Sequence, residues 1–163
     1  MPYTIKTEGL AQVEKLLNTL GKSAQAVASA GVYEGAGVMS EAIKSYANGI
    51  QTVPFHYAVF IQRDTSPEEK AIVTNARVGI AKFDKSGGGV NTSVGYSKAG
   101  YATLAGRRKA IPKIANAINS GTSFMRKQPF FRQAVNNEKD RVSDTIVKKI
   151  EEKIEELKNK SGG

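Results

Sequence analysis

Side chains suited to acid–base or metal chemistry are scarce in this sequence. Its single histidine, His56, lies between Phe55 and Tyr57, and there is no cysteine. A zinc site would therefore need several carboxylates, and none stands at a close ligand spacing from His56. A lone histidine between aromatic residues is typical of a structural position. We expect no metal, no cofactor and no thiolate chemistry.

Clustered carboxylates occur at two places, and each has a structural explanation. Glu68 and Glu69 follow Ser66 and Pro67, the pattern of a helix capping box with proline at the first helical position. The acids between residues 151 and 156 lie near lysines at helical spacing, which predicts ion pairs on a solvated helix face. Neither group predicts an acid–base dyad.

A triple glycine, residues 87–89, is the remaining candidate for ligand chemistry. It lacks the Lys-Ser/Thr of a phosphate-binding loop and lies between two predicted strands, so it does not indicate a nucleotide site. Since no arrangement for catalysis remains, the sequence predicts a protein that is not an enzyme.

Positive charge is concentrated in the middle third of the chain. Residues 77–135 contain eleven Lys and Arg against one Asp, a net charge of +10. Residues 1–76 have six against seven and residues 136–163 seven against seven, which gives the total of +9. Such a block attracts an anionic partner or surface. Its densest part, the basic patch, comprises Arg107, Arg108, Lys109 and Lys113.

The composition leaves two interpretations of the basic patch open. Lys and Arg near aromatic residues, here Tyr101, Phe124 and Phe130, are typical of nucleic-acid binding. Alternatively, the charge serves only the solubility of a solvated surface. No helix-turn-helix or zinc pattern is present, so sequence-specific DNA recognition is not indicated.

The first half of the chain alternates strand and helix signals. Residues 3–7 alternate as a short strand, and Thr7 is a candidate N-cap for a helix ended by Gly21. A second helix is predicted over residues 23–48. Its middle contains Gly31, Gly35 and Gly37, which indicates either a break near Gly35–Gly37 or close approach by another element or subunit.

The middle of the chain predicts a small antiparallel sheet. Residues 55–61 alternate like a strand, a short helix begins at Pro67, and residues 78–83 and 90–96 form a β-hairpin. We expect its glycine-rich tip, residues 84–89, to be mobile. Residues 97–106 predict a loop, from which Arg107–Lys109 lead into a helix with Ile111, Ile114 and Ile118 on one face.

The last and longest helix is predicted to begin at Pro129. Its apolar stripe comprises Phe131, Val135, Val142, Ile146, Ile150 and Ile154. Together these elements predict an α+β fold, with a small antiparallel sheet, several helices and a long amphipathic C-terminal helix. We expect a single domain over residues 1–160 and a disordered tail over residues 161–163. No signal peptide and no membrane span are predicted.

The segment from Ile118 to Val135 carries a distinctive pattern. Gly121, Thr122 and Ser123 are followed by a basic connector and then by Pro129, Phe130, Phe131, Arg132 and Ala134. The pattern resembles that of small tail-completion or head–tail joining proteins in the head–tail connector region of long-tailed bacteriophages. The chain departs from it at Phe131, where an aliphatic residue is commoner, and at Gln133, where a second proline is common. It also lacks the aromatic and acidic run that often precedes the glycine.

The resemblance implies a structural role in the phage neck. Copies of the chain would form a ring, six-fold by analogy, that completes the tail end and joins it to the head. The implied partners are further copies of the chain, tail-terminator proteins and head-closure proteins, first in the host cytoplasm and then in the virion. The interface candidates are Gly121, Thr122, Arg126, Lys127, Pro129, Phe130 and Arg132.

The same hypothesis assigns partners to the charges. Arg132 would pair with a carboxylate, and the basic patch would meet an acidic face of a neighbouring subunit, with non-specific DNA contact in the connector as an addition. Within the segment, Gly121 is expected to make the turn, and Phe130 and Phe131 to lie in the core. The alternative hypothesis is a basic nucleic-acid-binding domain.

Overall fold

Helices dominate the secondary structure, and short strands lie between them. The structure, a computed structural model, describes residues 2–7, 10–18, 20–52, 63–86 and 89–161. The helices are α1 (Ala11–Asn18), α2 (Ala24–Asn48), α3 (Pro67–Asn75), α4 (Ile111–Ser120) and α5 (Phe130–Ser161). The strands are β1 (Tyr3–Lys6), β2 (Gly79–Ile80), β3 (Asn91–Gly95), β4 (Tyr101–Leu104) and β5 (Arg107–Ala110). These elements confirm the predicted α+β class.

The first sheet contains the predicted hairpin. Its strand order is β1-β3-β2, and β1 pairs antiparallel with β3. The Ala81 N–H donates to the Ser93 carbonyl at 2.9 Å, and the backbones of Asp84 and Asn91 exchange two hydrogen bonds of 2.8 Å, which closes the hairpin. Residues 87 and 88 at its tip lie outside the described residues, so the mobility of the tip stays a prediction.

The second sheet corrects the prediction of a loop over residues 97–106. β4 and β5 pair antiparallel, with Tyr101 opposite Ala110 and Leu104 opposite Arg107. The turn between them is made by Ala105 (φ 50°) and Gly106 (φ 74°), since a two-residue hairpin turn of this kind requires positive φ at both positions. Alanine is a poor residue for that conformation, so the sequence carried little signal of the turn.

The prediction of Thr7 as the N-cap of α1 is wrong. The helix begins at Ala11, and the Thr7 hydroxyl instead accepts a hydrogen bond from the Val90 N–H at 3.3 Å. The Thr7 N–H in turn donates to the Val90 carbonyl at 3.4 Å. Thr7 is buried and extends the pairing of β1 with its neighbour, a long-range use of the side chain that local sequence does not reveal.

The glycines of α2 allow another helix to come close. The helix is continuous, so there is no break near Gly35. A Cβ atom added to Gly35 would lie 2.6 Å from Ile146 Cγ1, and one added to Gly31 would lie 2.8 Å from Ile150 Cγ1. A Cβ atom at Gly37 would meet nothing within 4 Å. Gly31 and Gly35 therefore confirm the interpretation of close approach, with α5 as the approaching element.

α3 and α5 begin largely as the sequence predicts. The Ser66 hydroxyl accepts from the Glu69 N–H at 3.1 Å, and the Glu69 carboxylate accepts from the Ser66 N–H at 2.9 Å, which completes the capping box. The Pro129 carbonyl accepts the first hydrogen bond of α5, from Gln133 at 2.9 Å. In the predicted apolar stripe, Val135 is half-buried and the other five residues are buried.

Contacts divide the chain into two compact units. The first comprises Met1–Pro2, Ser40–Gly79 and Gly95–Asn137, and the second Tyr3–Met39, Ile80–Val94 and Glu138–Gly163. The prediction of a single domain stays a prediction. The strand predicted over residues 55–61, with His56, lies outside the described residues. None of the helices in the described part of the chain combines the length and apolarity that crossing a bilayer requires.

Replacing Gly35 by alanine should destabilise the protein, although alanine is the better helix former. The new methyl group would overlap Ile146, whose side chain is itself fully buried, so we expect a loss of about 1 to 3 kcal/mol in the free energy of unfolding. Gly37→Ala is the matched control and should stabilise by roughly 0.5 to 1 kcal/mol. Denaturant titrations of both variants test this, and equal effects would contradict the account of the helix contact.

Candidate functional site

The segment from residue 118 to 135, called the joint below, is built around a buried asparagine. Asn119, near the end of α4, is only 6% exposed. Its Oδ1 atom accepts hydrogen bonds from the backbone N–H groups of Phe131 at 3.1 Å and Arg132 at 3.2 Å. These are N–H groups of the first turn of α5, which have no partner within their own helix. Asn119 therefore caps α5 from the preceding helix.

A tight turn lies between the two helices. Gly121 has φ 78°, a backbone conformation that favours glycine. A Cβ atom there would also lie 2.9 Å from Lys127 Cβ and 3.0 Å from Lys127 N, so a larger residue would clash. The Thr122 hydroxyl accepts from the N–H groups of Phe124 at 3.2 Å and Met125 at 3.0 Å. The predicted role of Gly121 is confirmed, and Thr122 shapes the same turn.

The residues after the turn pair with a distant part of the chain. The Arg63 N–H donates to the Phe124 carbonyl at 3.0 Å, and the Arg126 N–H donates to the Arg63 carbonyl at 2.7 Å. Met125 between them is buried. The backbone of residues 124–126 is therefore fixed from both sides, by the turn and by the chain at Arg63.

Gln128 connects the joint to a second distant part of the chain by hydrogen bonds that the sequence did not predict. Its amide oxygen accepts from the Gln51 N–H at 2.7 Å, and its amide nitrogen donates to the Gln51 carbonyl at 2.8 Å. The same nitrogen also donates to the Thr65 hydroxyl at 3.1 Å. A glutamine before a proline gives no sequence signal for such a role, because both partners are remote in the chain.

A partly buried ion pair supports the strand-like pairing at Arg63. The two guanidinium nitrogens Nη1 and Nη2 each lie 2.8 Å from an oxygen of Glu69. Burial acts to raise the pKa of Glu69, but hydrogen bonds from Arg63 and Ser66 and the Arg63 charge outweigh it and hold that pKa below its ordinary value. The hydrogen bond to Glu69 likewise raises the pKa of Arg63.

Aromatic side chains fill the core below the joint. The Phe130 ring lies 6.2 Å from the Tyr96 ring and 6.5 Å from the Phe131 ring, in edge-on contacts. Burial raises the pKa of the Tyr96 hydroxyl, which donates to the Val73 carbonyl at 3.4 Å. Phe130 and Phe131 are 3% and 4% exposed, which confirms their predicted core role. Phe130 therefore does not offer its side chain to a partner, although it is among the interface candidates.

The other interface candidates are at least partly accessible. Gly121 and Pro129 are half-buried, and Thr122, Arg126, Lys127 and Arg132 are exposed. Arg126 Nη1 lies 3.8 Å from Asp64 Oδ1, an exposed pair that contributes little to stability. Among the described residues, the Arg132 guanidinium has no ion-pair partner. Its pairing with a carboxylate of another protein stays a prediction.

Phe124 is the residue that sequence reasoning left out of the interface. The sequence indicates only an aromatic residue near the basic patch, yet the Phe124 side chain is 73% exposed on a loop whose backbone is fixed. Because its backbone is already ordered, this exposed ring is a preformed candidate for contact with another protein. The available signal was its place in a turn, where neither helical nor strand periodicity gives it a buried face.

The basic patch lies on β5 and α4. Arg107, Arg108 and Lys109 are on the strand and Lys113 is on the helix, and all four are exposed. Arg108, Lys109 and Lys113 line a groove of about 490 Å³ together with Tyr101. Arg108 Cζ lies 4.3 Å from the centre of the Tyr101 ring. The structure thus brings three of the four predicted residues together beside an aromatic ring.

Removing the Asn119 side chain should weaken the start of α5. Asn119→Ala leaves two N–H groups without their acceptor, and we expect a loss of about 1 to 2 kcal/mol in the free energy of unfolding. Asn116→Ala is the control, because Asn116 is exposed on the same helix, and it should change stability by less than about 0.5 kcal/mol. Denaturant unfolding compares the two, and similar losses would refute the cap.

The Arg63–Glu69 pair should make the free energy of unfolding depend on pH in the acidic range. Because the folded-state pKa of Glu69 is lowered, its ionised form stabilises the fold above about pH 4.5, and this contribution is lost as pH falls through the lower folded-state pKa. Glu69→Gln should cost about 2 to 3 kcal/mol at pH 7 and less at pH 3.5. Glu68→Gln, at an exposed site, is the control. A Glu69→Gln cost that stays constant between the two pH values would contradict the lowered pKa.

Neither a metal site nor a known relative assigns an activity to the chain. Among the described residues, no group of three or more His, Asp or Glu is placed to hold a metal ion. No family model, no curated protein and no solved structure matches the chain. The joint and the groove are the surfaces from which a function can be proposed.

Proposed function

We propose that this chain is a structural protein of the bacteriophage neck, which assembles with its neighbours into a ring, completes the tail end and joins the tail to the head. The observation that carries the proposal is Phe124, a large apolar side chain held in solvent by a fixed loop. The resemblance of the segment from Ile118 to Val135 supplies the class of assembly. The chain's role is mechanical, and no catalysis is part of it.

Preorganisation makes Phe124 a suitable anchor for a protein partner. The Phe124 N–H is held by the Thr122 hydroxyl and its carbonyl by the Arg63 N–H. A partner that buries the ring does not have to order this backbone, so little of the gain from apolar burial is lost to entropy. Aromatic residues are enriched at interfaces for this combination of large area and few rotatable bonds.

The residues that carry the resemblance hold the loop of Phe124 in place. Gly121 and Thr122 shape the turn, whereas Phe130, Phe131 and Ala134 are buried. The motif therefore builds a platform, and the accessible side chains around it provide the contact.

Charge defines the complementary surface. Arg126, Lys127 and Arg132 are exposed within the joint, and the only carboxylate paired with them in the described residues is Asp64. The partner would therefore offer an apolar pocket with an acidic rim. We assign this partner to a second copy of the chain in the ring or to a tail-terminator or head-closure protein, in the host cytoplasm and then in the virion.

Replacing Phe124 by alanine should block assembly without unfolding the protein. We expect the free energy of unfolding to change by less than about 0.5 kcal/mol, because the side chain is exposed. Loss of a central anchor of about 2 kcal/mol should weaken the contact roughly 30-fold. The measurement is complementation of a phage that lacks the gene, with infectious particles counted and free heads and tails scored by electron microscopy.

The control for Phe124→Ala is Tyr33→Ala, which removes an aromatic side chain of 61% exposure from the other compact unit. It should leave joined particles at the wild-type number. Normal joining by Phe124→Ala, or an equal defect in Tyr33→Ala, would rule out the assigned anchor.

A further inference from the structure

The groove beside β4, β5 and α4 is a second surface with its own chemistry. It has a volume of about 490 Å³, and its apolar floor includes Leu104 and Ile114, both buried. Arg108, Lys109 and Lys113 line it, and their side chains are exposed. Its position on a hairpin and a helix, rather than on the loop that carries Phe124, makes it a distinct candidate.

The carboxylates that line the groove do not neutralise its positive charge. Among its described lining residues the one carboxylate is Glu69, and both of its oxygens are already bound by Arg63. No ion pair among the described residues involves Arg108, Lys109 or Lys113. Three cations therefore face solvent together, which favours an anionic ligand with several charges over a single carboxylate.

The aromatic ring at the edge of the groove identifies the class of polyanion. Tyr101 is 63% exposed, and the hairpin register places it opposite the small side chain of Ala110. Arg108 Cζ lies over one face of the ring, 4.3 Å from its centre, so a base would stack on the opposite face. An acidic peptide gains little from such a ring, whereas any unpaired nucleobase can stack on it.

We propose that this groove binds single-stranded nucleic acid, with its phosphates on Arg108, Lys109 and Lys113 and an unpaired base stacked on Tyr101. The cations contact the phosphodiester backbone, which is common to all sequences, and the ring accepts any base. Binding is therefore independent of sequence and falls with salt. A duplex binds less well, because its bases are already stacked and cannot reach Tyr101. This function does not depend on the role proposed for Phe124.

Fluorescence anisotropy of the full chain with an oligo-dT strand tests the proposal. Tyr101→Ala should weaken binding about 5- to 100-fold, and Tyr101→Phe should retain it, since the stacking face is kept. Replacing Arg108, Lys109 and Lys113 by alanine together removes three phosphate contacts. Each contact contributes roughly 0.7 to the slope of log affinity against log salt, so the steepness of that slope should fall by about 2.

A matched triple variant controls for net charge. Lys139, Lys148 and Lys160 are exposed on α5, and their joint replacement by alanine removes the same charge far from the hairpin in sequence. This variant should keep the affinity to within about twofold if the groove is the site, as direct phosphate contacts dominate binding. Thermal unfolding followed by circular dichroism verifies that each variant is folded.

Five results would overturn the proposal, four from direct binding and one from competition. The four from direct binding are the absence of binding at low salt, an equal loss of affinity in the control triple variant, an unchanged affinity in Tyr101→Ala, and equal affinity for a duplex of the same length. A poly-glutamate peptide of equal charge should compete poorly. If it competes as well as the oligo-dT strand, the groove is a site for acidic protein segments instead.

Discussion

The hydrogen bonds from the first turn of α5 to Asn119 are the constraint on which the joint depends. The opening N–H groups of a helix need acceptors, and here the acceptor comes from the preceding helix. This fixes the end of α4 against the start of α5. The nine residues 121–129 must then connect the two helices along a defined path, in which Gly121 adopts a positive φ and lies against Lys127.

Along this loop the backbone polar groups find hydrogen-bond partners, while the Phe124 side chain is left exposed. Residues 124–126 pair with Arg63, and the Gln128 amide binds both polar groups of the Gln51 backbone. Arg63 is in turn held by Glu69, which also completes the cap of α3. The exposure of Phe124 is thus a consequence of a well-bonded loop, and its ring is a preformed feature of the surface.

The sequence predicted those features that depend on local pattern. The capping box at Ser66, the apolar stripe of α5 and the turn at Gly121 are each set by residues within a few positions of one another. Features that depend on remote partners were missed or left open. The Thr7 hydroxyl accepts a hydrogen bond from Val90, and the Gln128 amide binds Gln51. The β4–β5 turn was missed for a local reason, since it contains an alanine where glycine or asparagine is usual. Phe124 was missed because exposure on a fixed loop becomes visible only when its tethers are known.

We propose that the joint presents Phe124 to a neighbouring protein in the assembled phage neck. The most direct test of this proposal is photo-crosslinking from a photoreactive phenylalanine analogue at position 124, carried into purified phage particles. We expect a specific cross-link from position 124 to a second copy of the chain or to another neck protein. The same analogue at position 33, exposed in the other unit, should give no such product. Absence of the chain from the particles, or no protein cross-link from position 124, would contradict the claim.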